Sequence, residues 1–271
     1  MFTDGGKRTL NGIIPKLLHS IFTQIKSMES ELIQYQVRMS FIEIYNNRAT
    51  DLLDKLLSKS VPSSAGYVEC PIKSTKNAMN LISVGSKSRH TRETDMNTHS
   101  SRSHAIVTLY LEKRSREDKG SRKFTNQISK FNLVDLAGSE SIEKSGSIRC
   151  TEGLREAASI NTGLLVLHRV LSALQSNTSG HIPYRDHILT QLLQSSIGGD
   201  SYSLFLAHIS PLNYNMYESL STISYAQRAM SVYNSPTLHI EENEEEITSF
   251  DDDIIDPSEL NRRSCFLSTK R

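Results

Sequence analysis

The sequence predicts an α/β fold in which a central mixed β-sheet is flanked by helices on both faces. Segments with strand-like apolar patterns alternate along the chain with segments whose apolar residues recur at helical spacing. The strands are apolar enough to be covered on both sides, which is typical of α/β sheets. The length of 271 residues suits one large domain of this class, or two small ones.

The predicted elements follow from local patterns. Strand-like stretches, alternating or continuously apolar, occupy residues 36–45, 104–112, 128–136 and 204–209. Helical stretches occupy residues 77–86, 151–174, 186–193 and 217–230, of which 151–174 is the longest. Residues 49–57 are predicted to form a turn or a short helix.

Composition excludes several classes of protein. Hydrophobic residues make up 37% and charged residues 23% of the chain, which argues against a disordered or a membrane protein. No run approaches 18 uncharged apolar residues, and the first residues lack the pattern of a signal peptide. The three cysteines, Cys70, Cys150 and Cys265, lie far apart, which argues against a disulfide framework or a cysteine zinc site. We therefore expect a reducing compartment and no membrane partner.

Charge is divided unevenly along the chain. Ten of the 30 acids lie between residues 241 and 259, whereas residues 1–240 carry 27 bases and 20 acids. The folded part is therefore basic, which favours anionic partners without choosing among them. The acidic run repels itself, and we expect residues 241–271 to form a disordered tail.

One polar motif follows the predicted strand 128–136. Asp135 ends this strand and Gly138 comes three residues later. Ligands of α/β sheets collect beyond the carboxyl ends of strands, where an Asp can hold Mg²⁺ through water and a Gly N–H can approach a phosphate. The alternative is that Asp135 caps a turn and Gly138 serves its geometry.

A second polar motif precedes the strand that begins at His104. Residues 97–103 read Asn-Thr-His-Ser-Ser-Arg-Ser. Hydroxyl groups can bind Mg²⁺ and phosphate, and Arg102 can pair with a carboxylate. The alternative is an ordinary polar loop before a strand.

Together these two motifs resemble the first and second switches of kinesin motor domains. Further stretches resemble the same family in the same order: 41–46, 156–161, 181–186, 194–199 and 218–226. Residues 139–146 and 234–236 are most similar to the bipolar mitotic-spindle kinesins. The resemblance implies a partial motor domain over residues 1–230 and a neck-linker-like segment over 231–240.

The resemblance implies a microtubule motor that uses ATP and Mg²⁺. It assigns Ser101 and Asp135 to the metal, and Gly138 and Asn97 to the phosphate region. It assigns Ser100 to the attacking water, and Arg102 and Glu140 to the salt bridge that closes the switches. The microtubule contacts that it implies are Lys144, Arg169, Tyr184 and Arg185.

Other implications of the family concern place and partners. We expect a cytoplasmic, cytoskeletal protein, with the spindle as one location, and no nucleic-acid partner other than a nucleotide. Any oligomer would form through regions outside this chain. His168 stands where the family has a small residue, and Ile188 and Gln191 stand where it usually has two basic residues.

The sequence departs from the family in one large respect. It contains no phosphate-binding motif of the form G-x-x-x-x-G-K-[ST]. We expect the first strands of the family's sheet to be missing with it. Backbone N–H groups and the lysine of that loop normally neutralise the phosphates, so binding of ATP by this chain alone is in doubt.

Two other classes of function stay open. One is a non-catalytic module that binds microtubules or another partner, and the second is an unfolded remnant without activity. The nine histidines do not show the spacing of a metal hydrolase, and the absence of Gly-x-Ser-x-Gly argues against a serine hydrolase. His104 is expected to start a strand and to face the core or a neighbour.

Overall fold

A computed structural model describes residues 12–54, 66–91, 102–118, 123–138, 151–176 and 180–244. The helices are α1 (Ile13–Met28), α2 (Thr75–Thr91), α3 (Thr151–Gln175), α4 (Ile188–Leu192) and α5 (Met216–Met230). The strands are β1 (Ile33–Tyr45), β2 (Arg48–Asp51), β3 (Cys70–Pro71), β4 (His104–Arg116), β5 (Lys123–Asp135) and β6 (His239–Glu244). Two single 3₁₀ turns lie at Tyr184–Asp186 and Asn213–Asn215.

The sheet is built around three long strands. Strands β1, β4 and β5 each span 13 residues, and the order across the sheet is β2-β1-β4-β5-β6, with β3 also paired to β1. All pairs among the described strands are antiparallel, so the parallel part of the expected mixed sheet is not among them. The α/β class is confirmed, and so are the strands expected at 36–45, 104–112 and 128–136.

Helices cover both faces of the sheet, as predicted. Successive side chains of a strand point to opposite faces, so odd and even positions contact different helices. On one face, residues such as Phe41 and Val107 are fully buried with Leu18 of α1 and Ala78 of α2. On the other, Ile42, Ile44 and Ile106 pack with Leu189 and Leu193, in and just after α4.

A tight turn joins β1 to β2 and corrects the expectation for residues 49–57. Asn46 and Asn47 both have positive φ, 52° and 54°, and Tyr45 pairs with Arg48 across them. This is the geometry of a two-residue hairpin, and asparagine tolerates it better than most residues. The chain therefore turns back into a strand, Arg48–Asp51, where a turn or short helix was predicted.

The strand predicted at 204–209 is absent, because these residues pair with no described strand. Their backbone carries no regular secondary structure, and Leu204 is 84% exposed. An apolar run forms a stable strand only when neighbouring strands satisfy its backbone and cover its side chains. Leu212, Tyr217 and Leu220, which follow in the chain, are also exposed apolar side chains.

Residues 231–244 form an extended strap that runs from α5 to the edge of β5. The Asn234 side chain accepts from Gly198 N–H at 2.8 Å and donates to the carbonyls of Ser196 and Ser201. The pairing of His239–Glu244 with β5 then continues the sheet. The expected tail therefore begins as a strand at 241–244, and the remainder, 245–271, lies outside the described residues.

The neck-linker-like segment 231–240 lies within this strap. Ser235 and Thr237 donate their N–H groups to the carbonyls of Gly199 and Asp200, at 2.9 and 3.1 Å. His239 also contacts the Asp200 carboxylate, with Nε2 and Oδ2 2.7 Å apart, and this hydrogen bond lowers the pKa of Asp200. The strap is held mainly by backbone and polar contacts, since most of its side chains are exposed.

None of the helices within the described ranges combines the length and the apolar character needed to cross a bilayer.

Both the backbone conformation at position 198 and the neighbouring side chains favour a glycine there. Its φ is +75°, and a Cβ there would lie 2.6 Å from Leu174 Cδ2 and 2.9 Å from the Tyr184 hydroxyl. Gly66 has nearly the same φ, +77°, but no atom of the described residues beyond its two chain neighbours lies within 4 Å of the place that its Cβ would take. The two glycines therefore separate the effect of backbone strain from that of steric clash.

We predict that Gly198→Ala lowers the free energy of unfolding by about 2 to 3 kcal/mol, from left-handed strain plus displacement of the Leu174 and Tyr184 side-chain ends. The matched variant Gly66→Ala carries the strain alone and should lose about 1 kcal/mol. Chemical denaturation followed by circular dichroism measures both values. Equal losses in the two variants would contradict the packing assigned to Gly198.

Candidate functional site

The structure brings the described parts of the two polar motifs together. Strands β4 and β5 are antiparallel, and Ala105 lies opposite Asp135 in their register. The start of β4 and the end of β5 therefore lie at the same edge of the sheet. Arg102 and Ser103 lead into β4 there, while residues 136–138 leave β5 beside them.

Three of the predicted nucleotide-site residues fall in the described part of the chain: Arg102, which is partly buried, Asp135 and Gly138. Asn97, Ser100, Ser101 and Glu140 lie outside the described residues, and so does Lys144 of the expected microtubule surface. Their roles stay predictions.

A buried arginine connects the two motifs. Arg89 of α2 donates from Nε and Nη2 to the Ser103 hydroxyl, at 3.2 and 3.0 Å, and from Nη2 to the Ser103 carbonyl at 3.0 Å. Its Nη1 lies 3.6 Å from Asp135 Oδ2. Its Nε lies 3.4 Å from Glu43 Oε1, which also accepts from the Ser103 hydroxyl at 2.7 Å. One guanidinium thus contacts β1, the start of β4 and the end of β5.

Burial divides this cluster into an anchored and an exposed part. The side chains of Arg89 and Glu43 are 8% and 7% exposed, whereas that of Asp135 is 40% exposed. Buried charges are stable only when they are paired and hydrogen-bonded, as they are here. Among these three charged groups, the Asp135 carboxylate is the one that faces solvent. Such a carboxylate can bind a cation, directly or through water.

His104 fixes the chain after β5. It is 3% exposed, and its Nδ1 accepts a hydrogen bond from Ala137 N–H at 3.0 Å. Burial, followed by the nearby His187 and Arg89, lowers the pKa of His104 to about 4. The ring is therefore neutral at physiological pH, which leaves Nδ1 free to accept this bond. His104 faces the core, as predicted.

A glycine of α3 permits the close approach of this histidine. A Cβ on Gly163 would lie 2.8 Å from His104 Nε2 and 3.0 Å from His187 Cε1. The two rings meet edge to face, with centroids 6.3 Å apart. Helix α3 thus packs directly against the residue that holds Ala137.

Sequence reasoning missed Arg89 and Glu43. Glu43 carries a signal, since it is a charged residue within the apolar run Phe41-Ile42-Glu43-Ile44 of a predicted strand. A buried charge at such a position requires a partner. Arg89 lies beyond residue 86, where the predicted helix ended, and its partners are distant in sequence.

The residues expected to face a microtubule do not share one environment. Arg185 is exposed. Arg169 of α3 is 57% exposed and forms an ion pair with Asp186, with Nη1 and Oδ2 3.1 Å apart. Tyr184 is only 9% exposed, and its hydroxyl donates to the Ile197 carbonyl. The microtubule contact expected of Tyr184 stays a prediction, and its side chain is largely buried in this structure.

The segment 184–193 is held in place by side-chain hydrogen bonds. Ile188 N–H donates to Asn47 Oδ1 at 2.9 Å, so the β1–β2 turn caps α4. The Thr190 hydroxyl contacts the carbonyls of Tyr184 and His187, at 2.7 and 2.8 Å. Gln191 Nε2 donates to the Arg185 carbonyl at 2.9 Å. These contacts orient the exposed Arg185 side of the turn.

His168 is accommodated between α3 and α5. Its ring meets that of Tyr225 edge to face, with centroids 4.9 Å apart, and its Nε2 lies beside Arg228. Arg228 also donates to the Ser172 hydroxyl at 2.7 Å, and the Tyr225 hydroxyl donates to the Leu164 carbonyl. His168, which is larger than the small residue expected at this position, therefore packs against α5.

No group of three or more His, Cys, Asp or Glu side chains that could hold a metal ion is found in the part of the chain that the structure describes.

The neutral, buried His104 predicts acid sensitivity. The ordinary histidine pKa is 6.5 and that of folded His104 is about 4, so between these values the unfolded chain binds a proton that the folded chain does not. This contribution to stability is complete above pH 6.5 and falls as the pH drops toward 4, by on the order of 3 kcal/mol. Denaturant unfolding at pH 7.5, 6, 5 and 4 measures it.

The control for this prediction is His104→Asn, whose amide oxygen can still accept from Ala137 N–H but does not titrate. Its stability should depend less on pH than that of the wild type. An unaltered pH dependence in His104→Asn would contradict the assignment.

Comparisons with known proteins place this arrangement in a family. A family model described as the kinesin motor domain matches residues 1–232. Kinesin-like protein KIF27 of Mus musculus is 38% identical over 84% of this chain and 17% of its own length. Kinesin-like protein Klp68D of Drosophila melanogaster is 38% identical over 92% of this chain and 31% of its own, and the kinesin heavy chain of Strongylocentrotus purpuratus is 38% identical over 87% and 23%.

Solved structures agree in fold. A structure of a fast kinesin matches with a TM-score of 0.73 and 34% identity, covering 86% of this chain and 68% of its own. A microtubule-bound KIF14 dimer with AMP-PNP matches with a TM-score of 0.71 and 34% identity, covering 83% and 66%. This chain spans less than a third of the length of the curated relatives named above. On the strength of the family model, the fold and the two converging motifs, the chain belongs to the kinesin motor domain family.

Proposed function

We propose that this chain is part of a microtubule motor that couples binding and hydrolysis of ATP to movement. The observation that carries the proposal is the meeting of the start of β4 with the end of β5, where an anchored Asp135 faces solvent beside Arg102 and Ser103. Family membership supports it, since the matched KIF14 structure holds AMP-PNP and a microtubule.

The donor set suits the metal side of a magnesium–nucleotide complex. The Asp135 carboxylate is 40% exposed, and hard cations such as Mg²⁺ prefer oxygen ligands of this kind. We assign Asp135 and Ser101 to the metal, Gly138 and Asn97 to the phosphates, and Ser100 to the attacking water. When bound, Mg²⁺ neutralises charge on the phosphates. No P-loop motif occurs in the 271 residues to complete the phosphate side.

The chain's own residues orient this site. Arg89 holds one oxygen of Asp135, and His104 holds Ala137 N–H, so the residues before Gly138 are fixed on both sides. We assign Arg102 and Glu140 to a salt bridge that closes the two loops around the nucleotide. Such positioning, rather than covalent chemistry, is what phosphoryl transfer requires of a protein.

The proposed microtubule surface lies at α3, α4 and the turn between them. Two of the basic residues that we assign to this surface, Arg169 and Arg185, are exposed. We also assign Lys144 to it, which lies outside the described residues. Asp186 partly neutralises Arg169, and Ile188 and Gln191 add no charge. The surface therefore carries a modest positive charge, and its attraction to an acidic track should depend on salt.

The finer features are also proposals. Residues 139–146 and 234–236 favour the bipolar mitotic-spindle subfamily, with a cytoskeletal and spindle location in the cytoplasm. Oligomerisation is assigned to regions outside this chain.

A second candidate is a non-catalytic microtubule-binding module. The observation that favours it is the lack of any G-x-x-x-x-G-K-[ST] motif in the sequence. Microtubule-stimulated phosphate release separates the two functions. Turnover supports the motor, whereas co-sedimentation with microtubules without turnover supports the module.

We predict that this chain by itself binds ATP weakly, with a Kd above about 100 μM, because a single anchored carboxylate does not neutralise a triphosphate. Titration of the chain into a fluorescent ATP analogue with Mg²⁺ measures the affinity. The variant Asp135→Asn should weaken any binding further. Saturation at a few micromolar would contradict the prediction.

We predict that Arg185→Glu weakens co-sedimentation with microtubules about fivefold at low salt, because an exposed cation is reversed on the proposed surface. The matched control Lys16→Glu makes the same charge change on α1, which covers the opposite face of the sheet. It should leave the affinity unchanged. Equal losses in both variants would show that only net charge matters and would remove Arg185 from the surface.

A further inference from the structure

We propose that Ser235 is a phosphorylation site for a proline-directed protein kinase, and that its phosphate releases the strap 231–244 from the loop 196–203. The proposal goes beyond the function assigned above, because Ser235 is not among the residues assigned to nucleotide or microtubule. Its first support is the sequence, where Pro236 follows the serine. Kinases of this class recognise a serine or threonine directly before a proline in extended backbone, and a residue before proline favours that conformation.

The chain contains two serines that precede a proline, and their surroundings differ. Ser235 is exposed, and its hydroxyl makes no hydrogen bond to another residue of the described ranges. Ser210, before Pro211, is half-buried. Its hydroxyl accepts hydrogen bonds from Leu212 N–H and Asn215 Nδ2, at 3.3 and 3.1 Å. Ser235 is therefore the serine open to a kinase, and Ser210 is an internal comparison.

The strap has to leave the loop before a kinase can modify it, because the enzyme binds residues on both sides of the serine. Ser235 N–H donates to the Gly199 carbonyl at 2.9 Å, and Thr237 N–H donates to the Asp200 carbonyl at 3.1 Å. The Asn234 side chain adds further bonds to the same loop. Docking and phosphorylation are therefore mutually exclusive, and a change that weakens docking favours phosphorylation.

The charges around the docked strap oppose a phosphate. Residues 186–227 and 229–261 contain no Lys or Arg, so neither the loop nor the strap carries the cations that usually hold a phosphate. The loop instead carries the Asp200 carboxylate, and its hydrogen bond to His239 lowers the pKa of Asp200. A phosphate on Ser235 adds a charge of about −2 beside this carboxylate. Repulsion of this kind disrupts a contact where no arginine compensates it.

Two basic side chains near the strap compete with this repulsion. Lys130 lies two positions beyond the β5 residue that pairs with His239, but its ammonium lies over the Tyr110 ring of β4, 5.8 Å from the ring centroid. His239 already contacts the Asp200 carboxylate, with Nε2 and Oδ2 2.7 Å apart, so pairing with a phosphate would break that contact. Neither offers the fork of donors that arginine gives a phosphate, and repulsion is the larger effect.

The modification is a phosphoryl transfer from ATP bound to the kinase. The Ser235 hydroxyl oxygen forms a bond to the γ-phosphorus, while the bond from that phosphorus to the bridging oxygen breaks. ADP leaves, and the hydroxyl proton passes to a base of the kinase.

The site is tested by treating the 271-residue chain with a purified proline-directed kinase and Mg-ATP, and by locating phosphate with mass spectrometry. A synthetic peptide of residues 229–241 is the positive control for recognition of the sequence. We expect phosphate on Ser235, with Ser210 modified about tenfold more slowly because it is half-buried and bonded. Equal rates at the two serines, or no modification of Ser235 in the chain or in the peptide, would overturn the proposal.

The effect on the strap is tested by amide hydrogen exchange in the phosphorylated and the untreated chain. Phosphorylation should raise the exchange rate at Gly198 and Thr237 about tenfold, because their N–H groups lose the bonds that join strap and loop. Exchange at Leu109 of β4 should not change, and kinase treatment of Ser235→Ala should leave all three rates unaltered. Unchanged or slower exchange at Thr237 in the phosphorylated chain would overturn the release, since the phosphate would then leave docking intact or strengthen it.

A third measurement uses the exclusion between docking and phosphorylation. Asn234→Ala removes side-chain bonds from strap to loop and should raise the initial rate of Ser235 phosphorylation about fivefold. This rate is divided by that of a peptide with the same substitution, because position 234 adjoins the serine. The matched control Asn215→Ala removes the amide that contacts the Ser210 hydroxyl and should leave the Ser235 rate unchanged. An unchanged rate in Asn234→Ala would show that docking does not limit the kinase, and would overturn the exclusion.

Discussion

The antiparallel pairing of β4 with β5 positions nearly everything else in the candidate site. Its register places Ala105 opposite Asp135, which brings two loops separated by some thirty residues to one edge of the sheet. Arg89 and His104 then attach those loops to α2 and to each other. A shift of one residue would turn every side chain of a strand to the opposite face, so the apolar contacts of both faces also fix the site.

The predictable parts of the fold are those whose patterns are local. Strands β1 and β4 carry apolar side chains on both faces, and α3 shows a long helical period. Residues 204–209 show where local patterns predict a strand that is absent. An apolar run favours burial, but it does not reveal whether a neighbouring strand is present to pair with it. Strand β6 shows the opposite failure, a strand that its sequence did not predict. Its acidic residues favour a disordered tail through mutual repulsion, yet its backbone pairs with β5, with Glu244 opposite Lys123 in the register.

Residues of the candidate site could be predicted where they belong to a recognisable motif. They could not be predicted where they reach the site from a distant element of the chain. Asp135, Gly138 and Arg102 could be proposed from the sequence because they lie within motifs beside strands. Arg89 and Glu43 were missed because their ion pair joins α2 to β1, across 46 positions of sequence. The motif of Tyr184 did not indicate that its side chain is largely buried, because the bond of its hydroxyl to the Ile197 carbonyl joins residues 13 positions apart.

The strap 231–244 has a consequence for how the molecule opens. Its contacts to residues 198–201 are backbone and polar bonds with exposed side chains around them, and little apolar area would be uncovered by its release. Segments of this kind open as separate cooperative units, at a free energy far below that of global unfolding. Because β6 lies at the edge of the sheet, detachment of the strap would break its pairing with β5 and leave the pairs within β2-β1-β4-β5 in place.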